Sequence, residues 1–327
     1  MRILVTGGAG YIGSHTVKLL LARGHDVWVY DNLIFGHRAA VPADRLIVAD
    51  LAEIHRLDHA LMHHRIEAVI HFAAFAFVGE SVREPAKYYQ NNLVNTIGLL
   101  DAMKRHRVER IVFSSTCATY GVPEKVPITE ETPQRPINPY GRTKLGVEFA
   151  LADYAAAYGF GYAALRYFNA SGASPDGTIG EDHSPETHLI PLILLAVMGK
   201  RPAIEVFGTD YLTPDGTCIR DYIHVDDLAE AHLLALERIE SGRGLHYNVG
   251  TGRGYSVREV IRIAEEVTGK PVPVREGPRR PGDPPELVAA SEKIRRELGW
   301  QPKYPELRPI VETAWNWHRN HPRGYGK

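Results

Sequence analysis

The feature that most constrains this chain is Thr6-Gly7-Gly8-Ala9-Gly10-Tyr11-Ile12-Gly13. It lies between an apolar run, Ile3-Leu4-Val5, and a helical stretch from about Tyr11 to Ala22. The glycines read either as Gly8-x-Gly10-x-x-Gly13 or as Gly7-x-x-Gly10-x-x-Gly13. In both readings a strand turns tightly into a helix, and the main chain is open to a pyrophosphate. Free amides and the helix dipole favour negative charge at such a helix start. A glycine-rich loop alone is often a plain turn, and the strand-to-helix context is what gives this one weight. Asp31 adds to it. It ends a second strand, Asp26-Val27-Trp28-Val29-Tyr30-Asp31, and stands 18 residues beyond Gly13. A carboxylate there accepts from both ribose hydroxyls of an adenosine and repels a 2′-phosphate, which points to NAD rather than NADP. Asp50, closing a third strand at Leu46–Asp50, has two readings, the adenine edge and a helix cap.

Further short apolar strands follow at Ala68–Phe72, Ile111–Ser114 and Gly161–Arg166. Helical stretches lie between them, including two long ones at about Pro85–His106 and Pro139–Tyr158. Continuous apolar strands alternating with helices predict an α/β fold with a Rossmann-type, doubly wound parallel sheet covered on both faces. After about Ala170 the texture turns irregular and rich in Gly, Pro, Ser and Asp. The expected organisation is an NAD-binding domain at residues 1–170 and a smaller mixed α/β substrate domain at 171–327, with parts near 219–250 packing back on the first.

Composition bounds what such a chain does. Its 327 residues are 44% hydrophobic and 24% charged, as in globular proteins, and 38 basic against 39 acidic side chains leave a net charge of -1. That argues against nucleic acid as a partner. No apolar run approaches a membrane span. Two cysteines are too few for a disulfide framework, and Met1–Thr6 reads as a strand rather than a leader, so a reducing cytoplasm is the expected setting. Sixteen histidines raise the question of a metal, but no cluster has zinc-like spacing, and His63-His64, His318 and His321 read as surface residues.

Tyr140-Gly141-Arg142-Thr143-Lys144 places a phenol and an ammonium four residues apart, on one face of a helix that begins at Pro139. A free phenol is a poor base at neutral pH. A lysine ammonium and the positive ring of a nicotinamide both favour the phenolate, making Tyr140 a general base for a hydroxyl. Ser114-Ser115-Thr116 closes a strand at the carboxyl edge of the sheet, where ligands bind in this architecture, and brings a hydroxyl to the same place.

Taken together, these motifs resemble the extended short-chain dehydrogenase/reductases and, among them, the 4-epimerases of UDP-sugars. The likeness runs almost end to end. It includes Leu4 to His15, Val29-Tyr30-Asp31-Asn32-Leu33, His71-Phe72-Ala73-Ala74, Val78-Gly79-Glu80-Ser81-Val82 and Arg166-Tyr167-Phe168-Asn169. Asp215-Gly216-Thr217 and the stretch from Arg220 to Leu228 complete it.

The resemblance implies an isomerase that interconverts UDP-galactose and UDP-glucose at C4, through hydride transfer with tightly held NAD and a 4-keto intermediate. It makes Tyr140 the base and later the acid, has Thr116 polarise the O4 proton, and has Lys144 hold the nicotinamide ribose. The cofactor positions it implies are Gly7, Gly10, Tyr11, Ile12, Gly13, Asp31 and Asn32, then Asp50, Leu51, Phe72, Ala73 and Ala74. Asn91, Ser114, Tyr140, Lys144, Tyr167 and Phe168 complete that set. On the substrate side it implies Thr116, Tyr140, Asn169, His188, Leu189, Phe207, Arg220, Arg280, Asp283 and Leu287. Arg220 and Arg280 suit a diphosphate, since guanidinium pairs with phosphate oxygens in fork geometry; His188 reads equally as a surface polar residue. It also implies a homodimer through the two long helices.

Two departures stand out. Ala76 replaces a lysine common in the family, and Leu287, intermediate in size at a gate position, leaves open whether N-acetylated sugars enter. UDP-uronates and UDP-pentoses are nearby alternatives. A 4,6-dehydratase is disfavoured because Cys117-Ala118 follows Thr116 where those enzymes carry an Asp-Glu pair. A protein that binds NAD without turnover would not need Thr116, Tyr140 and Lys144 together.

Overall fold

Ile3 and Val5 face one side of the first strand and Leu4 the other, and all three are fully buried. That alternation requires cover on both faces. A computed structural model, describing residues 1–280 and 283–326, supplies it. In chain order the strands are β1 (Arg2–Thr6), β2 (Asp26–Asp31), β3 (Leu46–Val48), β4 (Ala68–His71), β5 (Arg110–Thr116), β6 (Gly161–Tyr167) and β7 (Asn169–Ser171). Then come β8 (Ile204–Phe207), β9 (Ile219–His224), β10 (Gly244–Val249), β11 (Gly254–Ser256), β12 (Val274–Gly277) and β13 (Glu286–Leu287).

Seven of these form one parallel sheet in the order β10-β6-β5-β4-β1-β2-β3. The Rossmann-type α/β fold expected from the sequence is the fold observed. Helices Tyr11–Ala22 and Val225–Arg238 cover one face, with Val17, Leu20, Leu228 and Leu236 in the core. Helices Ile54–His63, Asn95–Arg105 and Pro139–Tyr158 cover the other, with Leu57, Leu99, Val147 and Leu151. The strand order reverses between β1 and β4, so the loops leaving these two strands diverge and open a crevice at their carboxyl ends.

The remaining strands build two small sheets. β11, β9 and β13 lie side by side, with β7 also pairing with β9, and β8 pairs with β12. A third apolar cluster unites helices Leu189–Val197, Val257–Thr268 and Leu307–Asn320.

Three details differ from the sequence reading. The stretch from Pro85 is not one regular helix: an α-helical turn, Pro85–Tyr88, passes through a π-helical segment, Tyr89–Val94, into Asn95–Arg105. Strand β10, within the 219–250 stretch expected to pack back on the first domain, was not read as a strand, and it extends the main sheet by pairing with β6. His318 is not a surface residue. It is buried on the helix Leu307–Asn320, where the adjacent Trp317 and the nearby His321 stack. Among the described residues no helix is long and apolar enough to cross a membrane.

Candidate active site

The crevice at the sheet switch point continues into a deep cavity between the main sheet and the loops around β7, β9 and β13. Its cofactor-side wall is mostly main chain. Gly7 has φ +69°, and a Cβ on it would lie 2.5 Å from the Ala73 nitrogen; one on Gly13 would lie 2.2 Å from the Gly7 carbonyl oxygen. These two glycines therefore serve the protein's own packing. Gly10 differs, because a Cβ there would meet only the Gly7 oxygen, at 3.3 Å, so its outer side is open. Gly10 also caps helix Tyr11–Ala22 without any side-chain acceptor and with no acid in the first turn. The helix amides are left for an anion.

Asp31 is almost fully buried, and its carboxylate accepts from the Ala9 nitrogen (3.0 Å) and the Leu33 nitrogen (2.8 Å). Burial raises its pKa, and those two amides act against the rise. Asn32 donates to Asp50 (2.7 Å), whose other oxygen accepts from the Ala52 nitrogen (2.9 Å). Asp50 thus caps a turn and also faces the cavity. Open amides over Gly10, a carboxylate at the end of β2 and a deep apolar-lined crevice together fit a dinucleotide. Every position expected to touch the cofactor lines this cavity, from Gly7 through Asn91 to Phe168.

The reactive side chains come from the opposite strand end. Asn138 accepts from the Gly141 nitrogen (2.8 Å) and caps helix Pro139–Tyr158, with Pro139 in its first turn. Gly141 presses on the turn after β5, where a Cβ would lie 2.6 Å from the Ala118 oxygen. That close approach brings Tyr140 beside Thr116. Lys144, one turn on, is 3% exposed and donates to the Ser114 carbonyl (2.7 Å), while the Ser114 hydroxyl donates to Tyr167 (3.0 Å).

Burial pushes Tyr140 well above the ordinary phenol value; Tyr167 adds to the rise and Thr116 opposes it. Burial also pulls Lys144 down to about 7, against an opposing pull from Glu148. The sequence expectation is that Lys144 and a nicotinamide ring together favour the phenolate. In the protein alone desolvation dominates, and the phenolate needs further positive charge beside it. Cys117 also lines the cavity, but burial pushes its thiol up to about 12, so it stays protonated at neutral pH.

Among the expected substrate residues, Thr116, Tyr140, Asn169, His188, Arg220, Asp283 and Leu287 line the same cavity. Leu189, Phe207 and Arg280 do not. Leu189 starts a helix packed on the third apolar cluster, and Arg280 lies over the Phe207 ring at 3.9 Å. Arg220 pairs with Asp283 and donates to the Ile219 carbonyl (2.8 Å), which aims one guanidinium into the cavity from β9.

The sequence reading missed several lining residues. Phe35, Phe75 and Phe77 pack edge to face over the cavity beside Ala76. Asn92 accepts from the Phe75 nitrogen and donates to its carbonyl, tying that loop to the π-helical segment. His183 was missed as well. It belongs to a group of four potential ligands, Glu181, His183, Glu186 and His188, whose ligand atoms lie within 4.8 Å of one another. The sequence shows no cluster with zinc-like spacing, and this group has no such spacing. Its spacing, Glu-x-His-x-x-Glu-x-His, follows no helical or zinc-finger period, and only the fold of the loop closes it. His188 and Glu181 shift each other's pKa, the imidazole upward and the carboxyl downward, each against the effect of burial.

A Rossmann-type sheet with an open glycine turn, a ribose-side carboxylate and a buried Thr/Tyr/Lys group defines a dinucleotide-dependent enzyme acting on a hydroxyl or carbonyl. Comparison with known proteins narrows the class. Residues 3–250 match the NAD dependent epimerase/dehydratase family. The chain is 54% identical to the UDP-glucose 4-epimerase of Halalkalibacterium halodurans over 326 residues, 99% of this chain and 98% of that one. A crystal structure of UDP-glucose 4-epimerase from Brucella ovis in complex with NAD superposes with a TM-score of 0.93 at 53% identity, covering 96% of this chain and 97% of that one. That of the Bifidobacterium longum enzyme, in complex with NAD+ and UDP, gives 0.94 at 39% identity over 99% and 100%. The chain belongs to the NAD dependent epimerase/dehydratase family.

Proposed function

We propose that this protein is an isomerase that interconverts UDP-galactose and UDP-glucose by epimerising C4. The observation that carries the reading is the convergence of Thr116, Tyr140 and Lys144 in a buried cavity whose opposite wall suits NAD and whose far end holds Arg220. When bound, NAD supplies the acceptor for the C4 hydride and its donor on return. With NAD bound, its positive ring would favour the Tyr140 phenolate, a charge that Lys144 alone does not provide. Tyr140 then takes the O4 proton and later returns it, with the Thr116 hydroxyl orienting O4 between them. Lys144, tethered to the Ser114 carbonyl, holds the cofactor ribose and the local positive charge. Arg220 grips the diphosphate while the sugar turns over, and burial keeps the 4-keto sugar from escaping or hydrating.

A 4,6-dehydratase reading is disfavoured by Cys117-Ala118, since a thiol held protonated and a methyl stand where that chemistry needs an acid/base pair. Residues 1–170 together with β10 form the cofactor-binding part, and the small sheets and the third helix cluster form the substrate part. We read the protein as cytoplasmic. Tyr89, Val94, Ile97 and Phe149 are exposed apolar side chains on the two long helical stretches, which supports a homodimer through them. An equilibrium mass of one chain at micromolar concentration would overturn that assembly.

The deciding experiment incubates the purified protein, with no added cofactor, with equal UDP-galactose and UDP-N-acetylgalactosamine. UDP-glucose as the sole product supports the reading with Leu287 as a closed gate. Both gluco-products mean that Leu287 also admits the N-acetyl group. No product, even after NAD is added, refutes the hexose reading and turns attention to uronates and pentoses.

A further inference from the structure

The segment between β7 and the helix Leu189–Val197 is held in place before any ligand enters. Asp182 is fixed at both ends, its carbonyl against His37 Nε2 (2.8 Å) and its carboxylate accepting from the Tyr325 nitrogen (3.0 Å). The Tyr325 hydroxyl meets both the nitrogen and the carbonyl of Gly180 (3.1 Å each). Trp317 lies so close to Gly180 that a Cβ there would come within 2.4 Å of its ring. At the far end, Glu186 accepts from the nitrogens of Thr187 (2.7 Å) and His188 (2.8 Å).

This frame brings four ligand-type side chains together. Glu181 Oε1 lies 2.6 Å from His188 Nδ1 and 3.2 Å from His183 Nδ1. Glu186 oxygens lie 3.4 Å from His188 Nδ1 and 3.8 Å from His183 Nδ1. Protonated imidazoles paired with carboxylates would point their N–H bonds at the oxygens. At Glu181 Oε1 and His183 Nδ1 they do not. Glu181 is only 3% exposed, yet its Oε1 has no aligned hydrogen-bond partner, and neither does the buried His183 Nδ1. The separations of 3.2, 3.4 and 3.8 Å are those a cation centre leaves between its ligands, since bonds of about 2.0–2.2 Å set tetrahedral donors about 3.4 Å apart; the closer Glu181–His188 pair, at 2.6 Å, would open as an ion entered.

We propose that Glu181, His183, Glu186 and His188 bind one divalent transition-metal ion of the zinc type on the wall of the active-site cavity. Two imidazoles beside two carboxylates suit such ions better than magnesium or calcium, which prefer all-oxygen shells. The site is a clasp rather than a reaction centre. It fastens the loop carrying His183 and His188, both of which line the cavity, to the start of helix Leu189–Val197. The proposal does not rest on the reaction proposed above, because binding of the ion is read without substrate.

The test titrates chelator-treated, dialysed full-length protein with zinc chloride by calorimetry, and with cobalt(II) by visible absorption. Saturable uptake of one ion per chain, with the intense visible bands of a low-coordinate cobalt site, is expected. Glu181→Gln and the double variant His183→Ala/His188→Ala should each weaken uptake by about tenfold or more. A control, His63→Ala, removes an exposed histidine at another helix end and should leave uptake unchanged. No saturable uptake by folded wild-type protein, or uptake that the His183/His188 variant retains, overturns the proposal. Should those variants fail to fold, cobalt-shifted imidazole resonances in the wild-type protein decide. Assignment to His183 and His188 supports the site, and assignment to His59 and His63 refutes it.

Discussion

The two walls of the cavity are built on different principles. The cofactor wall is made where parallel strands end, and its chemistry is mostly main chain: the turn at Gly7–Gly13, the amides over Gly10 and one buried carboxylate, Asp31. The substrate wall is made of side chains drawn from distant segments. Arg220 on β9 meets Asp283, and Leu287 on β13 closes beside them. The first wall is rigid because the sheet dictates it, whereas the second depends on several loops packing correctly at once. In a family whose members act on different sugars, that second wall is where specificity can change without disturbing the sheet.

The largest effect tests the residue that stands between the two walls. Tyr140→Phe removes the hydroxyl that takes the O4 proton in the proposed reaction and should lower kcat by about 10²–10⁴-fold. NAD released on denaturation should remain at the wild-type level. A loss of NAD along with turnover would place Tyr140 in the cofactor wall instead.

Acid should strike the cofactor wall through His71, at the end of β4. Its imidazole is buried between the hydroxyls of Thr6 (2.6 Å) and Thr96 (2.9 Å). Burial, with help from Lys144, pushes it down to about 3 from an open-chain 6.5. The unfolded chain therefore takes up this proton first. Stability from this group is intact above pH 6.5 and is lost as pH falls toward 3, by on the order of 4 kcal/mol at the lower end. Denaturant midpoints of wild type and His71→Gln measured between pH 7 and 4 should converge as pH falls. Parallel curves would remove His71 from the account.

Asp31→Asn sharpens the comparison from the same side. It keeps an acceptor but loses the charge, and should cost about 1.5–3 kcal/mol of NAD binding with the substrate KM little changed at saturating NAD. Equilibrium dialysis of the cofactor checks it. The smallest effect belongs to the substrate wall. Arg220→Lys keeps the charge but loses the fork, costing about 1.5 kcal/mol, or about tenfold in KM, while kcat holds. A fall in kcat without a change in KM would show that Arg220 acts on chemistry rather than on binding.

The cofactor wall was legible in the residue string because local physics dictates it. A tight strand-to-helix turn needs glycine at Gly7 and Gly13, and a strand-end acid follows at a fixed distance; neither depends on anything remote. The spacing of Tyr140 and Lys144 is equally local, since one helical turn stacks them. The environment of those groups was not legible. That Lys144 is tied to the Ser114 carbonyl, and that burial raises the Tyr140 phenol in the protein alone, depends on the packing around them. Nor did the sequence show that Phe207 and Arg280, both expected at the substrate, stack on one another.

Sequence alone thus determined the parallel sheet, the dinucleotide turn and the spacing of Tyr140 and Lys144, because each is set by contacts within about one turn or one strand. Only the tertiary structure decided that β10 joins the main sheet, that His318 is buried and that Glu181, His183, Glu186 and His188 converge. Those outcomes rest on where separate segments dock. Docking follows from the packing of whole helix clusters, a property no short pattern of residues carries.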